Sequence, residues 1–120
     1  MWTYTSYILS KVCEKDASKC EEFKFTDLSE FIFNILYRKH RVIFHDGEKD
    51  LYNDLYYLKE LDILDFNDDN DDDYEKIILK IKNIDKLNGI ASIVKASPRV
   101  TKIELFKDYI EKIDKAVENF

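Results

Sequence analysis

The chain has 120 residues, enough for one ordinary domain and too few for two. Apolar residues make up 45% and charged residues 37%, so a core and an ionised surface are both available, which excludes a disordered tail. The net charge of −6 would argue against nucleic acid if it were evenly spread, but it is not.

Residues 62–75 (DILDFNDDNDDDYE) carry seven Asp and one Glu with no Lys or Arg, a charge of −8. Residues 1–61 amount to −2 and residues 76–120 to +4, so the chain outside this segment is mildly basic. No stretch approaches the roughly 18 consecutive apolar residues of a membrane span, and the N-terminus meets Lys11 before any small-residue cleavage site. A cytoplasmic protein without membrane contact is expected. Two Gly and one Pro leave few turn residues and favour helices over a multi-strand β architecture.

In chain order, Tyr4, Ile8 and Val12, widened by Tyr7, Leu9 and Cys13, predict an amphipathic helix over residues 3–18. Cys13 and Cys20 are the only cysteines. Two turns of helix would put them on one face as small buried thiols; a disulfide between them requires the intervening residues not to be helical. Zinc is not expected, because the spacing is too long and His40 and His45 lie in another segment.

Residues 21–25 alternate for one short strand, after which Thr26 is expected to cap a second helix with Leu28, Phe31, Ile32, Ile35 and Leu36 buried. That helix ends in the basic cluster Arg38, Lys39, His40 and Arg41, where cations suit the carbonyl end. Residues 41–45 are β-branched and aromatic and lead to the turn dipeptide Asp46-Gly47. A third helix follows over 48–61, with Leu51, Leu55, Leu58 and Leu61 on one face. Asp62 stands where a left-handed residue commonly ends a helix. Residues 63–66 and 74–81 read as the strands of a β-hairpin with a charged tip.

Asp65, Asn67, Asp69, Asn70, Asp71 and Asp73 approach an EF-hand ligand pattern, but the twelfth position is Lys76 where a bidentate Glu is needed. A solvated tip holding no metal is expected. Ile84, Leu87, Ile90, Ile93 and Val94 fit a fourth helix, although this stretch also reads as extended. Ser97-Pro98 predicts the start of a last helix, along which Ile103, Phe106, Ile110, Ile113, Val117 and Phe120 form a 3-4-3-4-3 seam. The seam fits packing onto its own domain or dimerisation, and homodimerisation is the expectation adopted.

This succession, and above all Leu55-Tyr56-Tyr57-Leu58-Lys59-Glu60-Leu61-Asp62-Ile63-Leu64, resembles the winged helix-turn-helix superfamily, as the end of a recognition helix running into the wing. The resemblance implies a mostly α protein with a small β-hairpin (α+β): a winged-helix domain over 1–82 and a C-terminal helical extension over 83–120 in the same compact domain. Small archaeal and viral regulators of this type add a C-terminal dimerisation helix, which the seam would match. It further implies a dimeric, DNA-binding transcriptional regulator. Lys49, Asn53, Tyr56 and Tyr57 of the third helix would meet bases in the major groove, and Arg38, Lys39 and Arg41 would hold phosphates.

The sequence departs from the superfamily pattern twice. Residues 39–47 form a long connector before the third helix, and that helix carries Glu48, Asp50, Asp54 and Glu60 against Lys49 and Lys59. The acidity supports an alternative, a winged-helix module whose acidic wing meets a basic protein partner. No Gly-rich phosphate loop or catalytic triad signature occurs, so neither catalysis nor a cofactor is expected.

Overall fold

The computed structural model describes residues 2–67, 74–97 and 102–120. Its centre is α1 (Trp2–Lys15), a helix buried on nearly every side. Tyr7, Ile8, Leu9 and Val12 supply the apolar contacts. Three hydroxyls that share this burial are all satisfied: Ser6 donates to the Trp2 carbonyl (2.8 Å), Ser10 to Asn88 (2.6 Å) and Thr5 to Asp54 (2.9 Å). A helix can lose solvent all round only when its polar side chains find such partners.

α1 stops where Asp16 takes both the backbone N–H and the hydroxyl of Ser18, at 3.1 and 2.6 Å. These hydrogen bonds hold the carboxyl below the usual carboxylate range, with the side-chain bond leading. The turn folds the short α2 (Ser18–Glu21) back, so that Cys20 returns to Cys13 with 5.3 Å between Cα atoms and a disulfide joins them. The expectation of two buried free thiols on one helix face is thereby corrected: the helix breaks between them, which is the condition a disulfide requires.

β1 (Phe23–Lys24) leads directly into α3 (Phe25–Glu30). Lys24, not Thr26, occupies the N-cap, and no side chain caps the helix; Thr26 lies within its first turn. The Phe25 N–H is instead satisfied by the Ile77 carbonyl (3.0 Å). The helix continues through a π-helical stretch (Phe31–Tyr37) into α4 (Arg38–His40). Arg41 closes it in the left-handed conformation (φ 61°), and the Val42 N–H reaches back to the Leu36 carbonyl (2.9 Å).

The connector to the next helix is anchored, not loose. Val42 and His45 are buried, and the Phe44 ring stacks on Tyr4 at 4.3 Å. α5 (Glu48–Glu60) buries Leu51, Leu55 and Leu58 together with Asp54. Asp62 ends it with φ 61°, as its position in the sequence predicts, and the Ile63 N–H bonds the Leu58 carbonyl (3.1 Å).

β2 (Leu64–Phe66) and β3 (Ile78–Ile81) form an antiparallel hairpin that pairs Phe66 with Leu79 and Leu64 with Ile81. β1 joins the far side of β3, pairing Phe23 with Leu79, so the sheet order is β1-β3-β2. The second strand is shorter than the sequence predicts. Residues 74–76 form a 3-10 turn, because Tyr74 packs inward on Phe25 and Tyr52, with centroids at 4.9 and 5.6 Å, and Ile77 is buried. The acidic tip, residues 68–73, lies outside the described residues.

Residues 84–96, open between helix and strand in the sequence, are helical: α6 (Ile84–Ala96) is capped by Asn83, whose side chain accepts from the Lys86 N–H (3.0 Å). Ser97 closes α6, and the expected helix start at Pro98 lies outside the described residues; α7 (Glu104–Val117) begins after Ile103. α6 and α7 both pack on α1, and the apolar residues of all three belong to one continuous core. The architecture is mostly helical with a small three-stranded antiparallel sheet.

Candidate functional site

Helical spacing puts Lys49, Asn53, Tyr56 and Tyr57 together on the outer face of α5, opposite Leu51, Leu55 and Leu58, and all four are exposed. Tyr57 leans on Trp2 (4.9 Å between centroids) and Tyr56 on Tyr52 (6.3 Å), which itself packs on Phe66 and Tyr74. The two exposed rings thus stand on fixed supports. Arg38, Lys39 and Arg41 are exposed as well, but on the preceding helix end, separated from α5 by the connector.

The charges around this face are partly absorbed by the fold. Glu48 accepts from Ser29 (2.9 Å), and Asp50 accepts from the Asp46 N–H (3.3 Å), both near the positive end of the α5 dipole. Lys59 turns to the hairpin, donating to the Phe66 carbonyl (2.9 Å) and lying 3.8 Å from Asp65. Lys82 pairs with Asp62 at 2.6 Å, which lowers the carboxyl pKa and raises that of the lysine.

The six seam residues divide. Ile110, Ile113 and Val117 are buried within the chain itself, Ile113 completely. Phe120 is half-buried and packs edge-on against Phe23 and Phe31, at 5.6 and 5.1 Å. Phe106 is half-buried beside Tyr4 and Tyr109, and Ile103 is exposed. Most of the seam therefore closes onto its own domain, and a side chain spent on that core has no surface left for a second copy.

One polar cluster went unread in the sequence. His45 Nε2 donates to Asp54 Oδ2 (2.7 Å), and Thr5 Oγ1 donates to the same oxygen (2.9 Å) while lying 3.0 Å from the imidazole nitrogen. Burial raises the Asp54 pKa, but the hydrogen bonds from His45 and Thr5 outweigh it and hold the carboxyl below its ordinary value. His45 Nδ1 is buried and has no hydrogen-bond partner among the described residues. Both partners meet one ring nitrogen, so a proton relay from hydroxyl through imidazole to carboxylate is not formed; such a relay needs the two on opposite nitrogens. The signal that could have found the cluster is Asp54 itself, a carboxylate within the Leu51, Leu55, Leu58 stripe.

Among the described residues no group of three or more His, Cys, Asp or Glu could hold a metal, and no helix is long and apolar enough to cross a membrane. No protein-family model, curated protein or solved structure matches the chain.

Proposed function

We propose that this chain is a small winged-helix DNA-binding protein, acting as a transcriptional regulator, in which α5 enters the major groove and the β2–β3 hairpin is the wing. The observation that carries the reading is the outward face of α5: Lys49, Asn53, Tyr56 and Tyr57 share it, on a helix that runs directly into the hairpin. The order α1, β1, α3, α5, β2, β3 and the sheet order β1-β3-β2 support it. Asn53 is suited to the paired acceptor and donor of adenine, and Arg38, Lys39 and Arg41 to backbone phosphates. A homodimer reading two half-sites would form through surface other than the buried part of the seam, with Ile103 available at the exposed end of α7.

A salt series of anisotropy measurements on random and genomic duplexes tests the proposal. Affinity should fall steeply with salt, and removing Arg38, Lys39 and Arg41 should flatten the log–log slope by about 0.9 for each phosphate that is no longer neutralised. No binding at about 50 mM salt, where electrostatic binding is strong, ends the reading.

The charge of −8 over residues 62–75 favours a second reading, a module that binds a basic protein through its acidic wing. It predicts failure of the salt series on every duplex and capture of a basic protein that weakens when the aspartates of the hairpin are replaced by asparagine.

A further inference from the structure

A surface cleft of about 430 Å³ runs between α1 and α6. Cys13 and Cys20 both line it, so their disulfide opens onto solvent and does not lie sealed in the core. The two cysteines are not equally exposed: Cys13 is 5% exposed, whereas Cys20 is half-buried on a helix that buries none of its residues. Lys11 and Lys95 line the same cleft with Glu14, leaving an excess of positive charge where an anionic nucleophile would arrive. Ser10 and Asn88, hydrogen-bonded to each other, complete a polar wall.

We propose that Cys13–Cys20 is a thiol-exchangeable disulfide, with the cleft as the entry site for a low-molecular-weight thiol and Cys20 as the sulfur attacked. The inference does not depend on the DNA-binding reading. A thiolate in the cleft forms a bond to Cys20 Sγ as the Cys13–Cys20 bond breaks, and the electron pair leaves on Cys13, which takes a proton from water. A second thiolate then attacks the added sulfur of the mixed disulfide. It leaves as the small-molecule disulfide, and Cys20 is released to take its own proton. Two electrons pass from two thiols to the protein disulfide, and the chain gains two thiols.

Access selects Cys20, because an attacker must approach along the line of the sulfur–sulfur bond and the packing around Cys13 blocks that approach. Release acts on the lead-in to the sheet. α2 connects through a single residue to β1, and besides the disulfide it is held by the Asp16–Ser18 turn, by backbone bonds such as Lys19 N–H to the Asp16 carbonyl (3.0 Å), by packing against β3, and by Lys19 over the Phe23 and Phe120 rings. Opening the ring should lower the Tm by about 5–15 °C, the loop-closure contribution expected for so short a loop in a chain of this size.

The test equilibrates the folded full chain in buffers of graded reduced-to-oxidised glutathione ratio, followed by acid quench, maleimide labelling and intact mass. The expected result is one two-electron transition from no labelled cysteine to two, without denaturant, accompanied by the fall in Tm. In Cys13→Ser the remaining Cys20 should take up glutathione from its disulfide readily, whereas in Cys20→Ser the remaining Cys13 should react far more slowly. A disulfide that stays oxidised at every ratio until urea is added would overturn the proposal, as would two thiols that label at every ratio. Equal reaction of the two single variants would overturn the assignment of Cys20. The double variant Cys13→Ser with Cys20→Ser should lose all dependence of Tm on the glutathione ratio; a dependence that persisted would place the redox effect elsewhere and overturn the proposal too.

Discussion

His45 Nε2 lies 2.7 Å from Asp54 Oδ2 in the interior, and through this contact the connector before α5 is fastened to α5 itself. Thr5 adds α1 to the same point, 49 residues from Asp54. Three segments that share no local sequence signal are thus held in register by one carboxylate. The other polar anchors of α5 hold its ends, Glu48 to Ser29 and Lys59 to the Phe66 carbonyl, whereas this carboxylate fastens its buried middle.

Replacing Asp54 by Ala should cost about 1–3 kcal/mol at neutral pH, because the imidazole and the hydroxyl lose the buried carboxylate they share. The pH dependence has a defined sign. The folded carboxyl titrates below its ordinary 3.8, so its contribution is fully present above that value and is lost as pH falls through the lower, folded one. Urea midpoints of wild type and Asp54→Ala should therefore converge below about pH 4. A gap that stayed constant with pH would show that Asp54 acts through packing alone.

Tyr7 donates its hydroxyl to Asp114 of α7 at 2.5 Å, and burial followed by that carboxylate pushes its pKa far above the usual tyrosine value. Tyr7→Phe should lose about 1.5–3 kcal/mol in chemical denaturation, the range for hydrogen bonds to a charged partner. Spectrophotometric titration of the folded protein should give the same ionisation amplitude for wild type and Tyr7→Phe, since the Tyr7 hydroxyl resists ionisation while the chain is folded.

Ile113→Ala should destabilise the chain by about 2–5 kcal/mol, since it opens a cavity at a fully buried position. Light scattering should give the same mass for this variant as for wild type wherever it remains folded. Ile103→Glu, at an exposed position, should change stability by less than about 0.5 kcal/mol. A lower mass for Ile103→Glu than for wild type would locate a homodimer contact at that end of α7.

Asp62 holds φ 61° and Asp62→Gly should melt higher than Asp62→Ala, on the order of 5 °C, because Gly takes the left-handed conformation without the Cβ clash. Both variants remove the ion pair with Lys82, so the comparison isolates the backbone. The same logic makes Arg41→Gly the cleaner probe of the phosphate role than Arg41→Ala, since Arg41 also has φ 61°.

The sequence by itself determined the elements whose cause is local. Leu51, Leu55 and Leu58 set the buried face of α5, Asp62 its left-handed end and Asp46-Gly47 the approach to it, each within a few residues. The four exposed residues of α5 were legible for the same reason: once a helix has one apolar face, its opposite face is determined by a period of 3.6 residues. Only the tertiary structure decided where the unusual side chains went. Cys20 reached Cys13 because Asp16 and Ser18 broke the helix, His45 found Asp54 across the connector, and most of the seam of α7 was taken up by α1, Phe23 and Phe31. Periodicity states that a face must be covered; the partner that covers it depends on contacts between residues 40 to more than 100 positions apart, such as Thr5 with His45 and Tyr7 with Asp114.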